Sequence, residues 1–395
     1  MSVGVTGVSG MVGAGTRAAD RASAEILPDL AAAEALWRGL DAAPGRLGTP
    51  YQRFDWVSAY ARSGAADGAI RVAVVRDAGG QPRLLLPLEI ARARGLTVAR
   101  GCGATHANFH LPLFASREAA AIGAEDLVHA LVLAGRAAGI DVYDLAQQPR
   151  SWEGAINPLA LRGEPAASDA YGMMLGPDAD ATLKRAFSAD ARKKLRSKEK
   201  RLTEALGPLA YRRAGTPEEA RAILAAFHEQ KAARFAAMGI ADPYAPPPIR
   251  DFLARAAEGA DPTIELHALV SQESGRVLAT FIGAVDATRY SGMATSYDPS
   301  PEVSRYSPGD LLLHHLVREQ TERGRRALDL GVGEARYKAS VCDETIELVD
   351  IVIPVTLRGR LYGLVATART RLKRRIKRST RCYALVVKLR RMARR

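Results

Sequence analysis

Two copies of one α/β (α+β) unit, each a mixed sheet flanked by helices, followed by a basic helical tail: this is the architecture that the 395-residue sequence predicts. Three observations predict it. The length exceeds what one hydrophobic core ordinarily serves, so two domains are expected. A strand–turn–strand pattern occurs at Arg71–Val75, Gly80, Leu84–Leu88 and again at Glu265–Val270, Gly275, Val277–Ile282. A helix-then-strand pattern also occurs twice, with Asp126 leading through Gly139 to Asp144, and Asp310 leading through Gly324 to Asp329. The two Asp-to-Asp separations are 18 and 19 residues. Hairpin, helix and strand recurring in one order point to a duplicated unit.

The elements follow in order. Met1–Thr16 is rich in Gly and Ser and lacks the basic start and apolar block of a signal peptide, so 1–22 is expected to be a disordered leader. The first unit, 23–165, begins with helices over Leu30–Leu40 and Phe54–Arg62. Strand-like segments follow at Ile70–Arg76, Arg83–Ile90, Thr97–Gly101 and Phe109–Phe114, then a helix near Glu125–Ala138 and a strand at Val142–Leu145. The second unit, 166–356, opens with a very basic helical region, Ala179–Leu206. The helix Pro217–Met238 has its cap at Thr216, proline at the first position and early acids at Glu218 and Glu219. Pro246–Pro248 breaks the chain before a helix near Ile249–Glu258. Strands return at Glu265–Ser271, Val277–Val285 and Tyr290–Thr295. A helix Asp310–Arg323 and strands Ala327–Leu330 and Thr345–Thr356 complete the unit. The tail is 357–395.

Charge separates the tail from the rest. The formal net charge is +13. Residues 357–395 hold fifteen Lys and Arg and no acid, leaving 41 bases against 43 acids elsewhere. The body is therefore near neutral and the tail carries the excess. Leu357, Leu361, Leu364, Ala368, Leu372 and Ile376 form an apolar stripe on that basic helix. Its first half is expected to dock on the second unit with a basic end exposed; the other reading is an anionic membrane surface. Nucleic acid is the least expected partner, because Tyr362 and Tyr383 are the tail's only aromatics. Three widely spaced cysteines suit neither a disulfide framework nor zinc, and the localisation expected is cytoplasmic, peripheral to the inner face of the membrane if the tail binds lipid.

The most informative stretch runs from Tyr306 to Lys338. Tyr306-Ser307-Pro308-Gly309 opens a helix whose first N–H groups and dipole favour an anion such as a pyrophosphate. The strand ending at Gly331 then leads into a turn carrying Glu334, Tyr337 and Lys338, a carboxylate, a phenol and an amine. The Gly101/Gly103 and Gly331/Gly333 pairs lack the third glycine of a dinucleotide fingerprint.

With Phe54-Asp55-Trp56, Leu85–Leu88, Arg192–Arg196, His228, Arg234, Tyr306–Gly309, Asp329–Gly333 and Tyr337-Lys338, the chain resembles the CelD/BcsL-type branch of the GNAT acyl-CoA N-acyltransferase superfamily, also called the BioF2-like acetyltransferase domain. The resemblance covers roughly residues 50–356. It implies tandem GNAT-like folds and acyl transfer from acetyl-CoA or another acyl-CoA, as co-substrate, to an amine or hydroxyl of a small-molecule or glycan-precursor acceptor, in exopolysaccharide or cellulose systems. The phosphate loop departs from the usual Gln/Arg-x-x-Gly-x-Gly/Ala pattern: here it reads Arg305-Tyr-Ser-Pro-Gly309-Asp310, with one glycine lost and an acid where pyrophosphate would approach.

Acyl transfer requires a held donor, a base for the nucleophile and an acid for the departing thiolate. The expected cofactor-binding residues are Tyr306, Ser307 and Gly309, with Arg192 and Lys193 as a clamp on the CoA phosphates. Glu334 or Asp329 is the expected base, and Tyr337 or Tyr306 the acid. His228, Arg234, Lys338 and Trp56 are expected to bind the acceptor; Lys231 lies between His228 and Arg234 on the same helix. His106 and His110, flanking Asn108, are a further candidate edge of the acceptor cleft. His314 and His315 are a single adjacent pair one turn into the helix, and no metal is expected. Two rival functions remain: a Fem-like transferase using aminoacyl-tRNA, with Arg192–Arg201 and the tail holding RNA, and a non-catalytic scaffold in polysaccharide export.

Overall fold

The computed structural model describes residues 22–378. The leader to Arg21 and the tail from Ser379, with Cys382 and Tyr383, lie outside the described residues.

The first unit supplies strands β1 (Ser23–Leu27), β2 (Ala69–Arg76), β3 (Pro82–Ala93), β4 (Leu96–Gly101), β5 (Val142–Pro149) and β6 (Glu164–Pro165). The chain continues through β7 (Ala170–Met174), β8 (Leu209–Arg213), β9 (Ile264–Ser271), β10 (Val277–Val285), β11 (Arg289–Tyr297), β12 (Ala327–Val332), β13 (Glu344–Ile346) and β14 (Leu348–Pro354). The first sheet has the order β1-β2-β3-β4-β5-β14-β6, and the second β8-β9-β10-β11-β12-β7-β13. Position by position the two orders match. In each, the only parallel pair joins the fourth strand to the fifth, β4 to β5 and β11 to β12. The repeated hairpins of the sequence are β2–β3 and β9–β10.

One strand of the first sheet comes from the second unit. β14, which the sequence places in the second unit, pairs antiparallel with β5 in the first sheet, while β7 pairs with β12 in the second. The segments 164–174 and 344–354 thus form one antiparallel ribbon crossing from sheet to sheet, with β6 on β14 and β7 on β13. The expected second unit, closed at 356, is not respected by the sheets, because β14 lies in the first sheet. Leu348, Val349, Ile351 and Ile353 of β14 are all buried. Each such side chain contributes about 1.5–3 kcal/mol when fully buried.

The helices are α1 (Leu30–Asp41), α2 (Phe54–Arg62), α3 (Ala124–Ala137), α4 (Ala179–Ala186), α5 (Ala189–Leu206), α6 (Pro217–Met238), α7 (Pro247–Ala256), α8 (Pro308–Glu322), α9 (Arg336–Val341) and α10 (Leu357–Arg378), with a single further turn at Pro301–Ser304. Local signals account for several boundaries. Thr216 accepts from the Glu219 N–H and Pro217 fills the first position of α6, which ends at the left-handed Gly239. The second sheet is covered on both faces: Ile264, Leu266 and Ala268 of β9 pack in the core containing Ile223 and Phe227 of α6, and Leu269 in the one containing Leu312 and Leu316 of α8. The units share a core where α2 meets α7. There Trp56 lies 5.1 Å from Phe252 and Tyr60 5.4 Å, ring to ring.

Four differences from the sequence reading stand out. Phe109–Phe114 contributes only the two-residue strand Leu113–Phe114. The region Ala179–Leu206 is two helices, broken at Phe187–Ser188, where Ser188 caps α5 through the Ala191 N–H. Short strands β1, β7 and β8 lack enough length to show a period. And α10 docks on β14 and β5 of the first sheet, not on the second sheet.

Candidate active site

The parallel pair β11–β12 is short. Only Arg289–Ser291 pairs with Ala327–Asp329; beyond that the strands part. Glycines shape the parting. Gly292 leaves no room for a side chain beside the Asp329 carbonyl, since a Cβ there would lie 3.1 Å from it. Gly331 and Gly333 have φ of 73° and 99°, turning β12 away from its neighbour in a conformation that favours glycine. Asn108, from the first unit, wedges into the gap. Its Nδ2 donates to the Gly292 carbonyl at 2.9 Å and to the Tyr51 hydroxyl at 2.8 Å.

Above this wedge lies a cleft of about 530 Å³. Its walls are Gly292–Thr295 of β11, Leu330–Val332 of β12, Gly309 and Asp310 at the start of α8, Lys231, Arg234 and Phe235 of α6, and Tyr337 and Lys338 of α9. Open strand edge, helix start, two bases from α6 and a phenol face one space. Parted parallel strands leave backbone N–H and C=O groups of β11 available to an extended amide chain.

The helix start is a narrower anion site than the sequence suggests. Ser307 is left-handed, φ 53°. The Asp310 and Leu311 N–H groups both donate back to the Ser307 carbonyl, at 3.0 and 3.3 Å, and Pro308 has none. Among the described residues Gly309 alone keeps a first-turn N–H without an acceptor, and nothing stands within 4 Å of where its Cβ would be. A cation joins it: Lys198 of α5 donates to the Ser307 hydroxyl at 2.7 Å. Tyr306 is half-buried under Arg305, whose guanidinium lies 4.8 Å from its ring centre, and does not line the cleft. Arg192 donates to the Phe187 carbonyl and lines a separate cavity of about 310 Å³ with His314 and His315; Lys193 is exposed to solvent. The basic residue of α5 at the helix start is Lys198, not the expected Arg192 and Lys193.

Beneath the cleft Asp329 is fully buried. Its Oδ1 accepts from the Ser291 hydroxyl at 2.7 Å and the Gly331 N–H at 3.2 Å; Oδ2 stands 3.6 Å from the Arg289 guanidinium without a hydrogen bond. Burial dominates, and the carboxyl is pushed up to about 6 despite Arg289. Tyr51 completes the chain by donating to Ser291 at 2.8 Å. Two residues of each unit thus form one network, Asn108–Tyr51–Ser291–Asp329.

The other predicted residues separate into those at the cleft and those elsewhere. Tyr337 lines it, and burial raises its phenol, keeping it protonated. Lys338 is buried and donates to the Gly331 and Val332 carbonyls at 3.0 and 3.1 Å, bracing the turn after β12. Arg234 reaches the cleft with its guanidinium 5.7 Å from the Tyr297 ring centre. Glu334 is exposed and outside the cleft. His228 is buried beside Phe227, held uncharged by burial with its pKa down to about 4, and does not line the cleft. Trp56 is fully buried among Tyr51, Tyr60 and Phe252, so the expected acceptor contact is corrected to a core residue. His106 and His110 are both buried in the first unit.

Lys231 is the cleft residue the sequence reading undervalued. Burial lowers its ammonium to about 8, and its Nζ sits 5.1 Å from the Tyr244 ring centre and 5.6 Å from Phe235. Its place on the His228–Arg234 helix was visible; its burial was not. Nothing local marks Tyr51 or Ser291.

Fold and cleft together define a tandem α/β architecture with one open cleft on the second sheet. Residues 189–339, within the second unit, match the family model of the acetyltransferase (GNAT) domain. Among solved structures, FemX is similar at 12% identity with TM-score 0.58, over 84% of this chain and 97% of that one. A conserved protein of unknown function from Bacteroides thetaiotaomicron is similar at 11% identity with TM-score 0.52, over 82% and 97%. These likenesses concern the fold. No curated protein matches by sequence.

Proposed function

We propose that the chain transfers an acetyl or other acyl group from acyl-CoA to an amine or hydroxyl acceptor in the cleft between β11 and β12. The observation that carries this reading is the parting of β11 from β12 inside the matched domain, with an open helix start at one end and a buried phenol at its wall. Gly309 N–H and Lys198 hold donor phosphate, and the free edge of β11 pairs with the amide arm. Tyr337 protonates the departing thiolate. Asp329 is a positioning residue, setting Ser291 and, through Tyr51, the Asn108 wedge. Lys231, half neutral near pH 8, and Arg234 receive the acceptor. The CelD/BcsL resemblance supports a glycan-precursor acceptor.

Titration calorimetry with acetyl-CoA tests this. Micromolar binding is expected, abolished in Gly309→Trp, at a position where a Cβ would meet nothing within 4 Å. Absence of binding to millimolar acetyl-CoA would overturn the reading.

A second reading rests on α5. Lys193, Lys194, Arg196, Lys200 and Arg201 are exposed on the helix that also delivers Lys198 to the helix start. An aminoacyl-tRNA donor would meet that face. Binding of tRNA in place of acetyl-CoA, weakened steeply by salt, is its signature.

A further inference from the structure

Helix α10 docks by one face and shows another. Its docked face is made of small and polar residues. Gly359 is buried so close to the sheet that a Cβ would meet the Asp141 carbonyl at 1.9 Å. The Tyr362 hydroxyl donates to Asp144 at 2.5 Å, and that of Thr370 to Asp350 at 3.3 Å. The opposite face is aliphatic. Leu357, Leu361, Leu364, Val365, Ala368 and Leu372 fall within an arc of about 100° at helical spacing. Relative exposures of the five large side chains are 78, 66, 71, 58 and 59%. Arg358, which donates to the Gly95 carbonyl at 2.8 Å, and Arg369 border the arc on one side; Arg360 borders the other, beside Arg371, which pairs with Glu164. Not one acid occurs from residue 357 to 395.

A stripe that wide, turned outward although the helix is docked, is apolar surface that the described fold does not bury. Its basic borders specify the partner. A second copy of the chain would bring like charge against like. Nucleic acid would satisfy the arginines and leave the aliphatic side chains in water. A bilayer with anionic headgroups takes both.

We propose that α10 is a membrane-surface anchor, lying in the plane of an anionic bilayer with its Leu–Val stripe in the acyl-chain boundary and its arginines on headgroup phosphates. The first sheet, on which α10 is docked, then faces the membrane. This inference is independent of the acyl-transfer reading, because none of its residues lines the β11–β12 cleft. The test uses full-length protein sedimented with vesicles of phosphatidylcholine containing about 30 mol % phosphatidylglycerol, against phosphatidylcholine alone. Binding to the anionic vesicles alone is expected, falling at least about tenfold in Leu361→Ser/Leu364→Ser/Val365→Ser at an unchanged thermal midpoint. In Leu364→Trp, indole emission should shift to the blue on anionic vesicles. Equal vesicle binding by the triple variant would reduce the contact to charge alone and overturn the anchor. No vesicle binding, a dimer dispersed by the serine substitutions, or binding to RNA alone would overturn it as well.

Discussion

Asp329 is where burial and charge conflict most directly. In the unfolded chain its carboxyl titrates in the ordinary range near 3.8; in the fold it titrates near 6. The folded state therefore holds the proton more tightly. This group's contribution is fully present below about pH 4 and falls as pH rises through about 6, by roughly 3 kcal/mol. Other carboxylates run the opposite way: Asp55, paired with Arg38, and Glu199, bonded to His315, are both lowered. The comparison must therefore be with Asp329→Asn. Chemical denaturation from pH 4 to 7 should show the wild type losing stability relative to the variant over that window; parallel curves would refute the assignment. Tyr337 makes a kinetic prediction instead. If its phenol protonates the thiolate, Tyr337→Phe lowers kcat about a hundredfold with little change in KM for acetyl-CoA. A change below threefold would assign that proton to water. Lys231 makes a third. With an ammonium near 8, it should react with an amine-selective acylating reagent at pH 8 ahead of exposed lysines such as Lys200, and acetyl-CoA should protect it. Residue types at the turn after β12 were legible in sequence, but which of them face the cleft was not. Glu334 and Tyr337 are three residues apart, and only α9's angle on the sheet admits one and leaves the other in solvent.

At the scale of elements, most helices and hairpin strands follow from local pattern, because periodicity and caps act within a turn or two. α6 shows this well: cap, proline, early acids and a terminal glycine all agree. The anion site shows the converse. Pro308 and Gly309 announce a helix start, yet the two back-bonds to Ser307 consume the donors that the start would otherwise offer. For α10 the sequence showed an apolar stripe, and burial of that stripe was the natural expectation. Small residues on the other face allow closer approach to the sheet, and that face docked. Gly359 is decisive for it. Gly359→Ala should push α10 off β5 and cost about 1–3 kcal/mol by overpacking, although alanine favours a helix. A lower denaturation midpoint checks this; an unchanged or raised midpoint would mean the contact is loose.

For the whole molecule the consequence of the shared ribbon is cooperativity. Since β14 of the second unit completes the first sheet, residues 1–165 alone do not contain a full sheet, whereas every strand of the second sheet lies within 170–346. Urea unfolding should be one transition by both fluorescence and far-UV circular dichroism. A fragment 1–165 expressed alone should aggregate through the exposed edge of β5, and should be rescued by co-expression with 166–395. A soluble, independently folded 1–165 fragment would contradict the shared strand. The same geometry explains the asymmetry between the two units. Asp144 and Asp329 hold equivalent places beside the parallel pairing, but Asp144 is bonded to Tyr362 of α10, which walls a cavity of about 460 Å³ there. Helix α10 crowds the first unit's cleft, and the second unit's stays open to ligand. By itself the sequence determined the duplicated unit, the order of its strands and helices, the helix start at Ser307 and the charge of the tail, because these depend on spacing and composition along a few turns of chain. Only the tertiary structure decided which sheet receives β14, which face of α10 docks and which side chains meet at Asp329. Those outcomes depend on competition between near-equivalent strand edges and helix faces distant in sequence, and packing, not local propensity, resolves it.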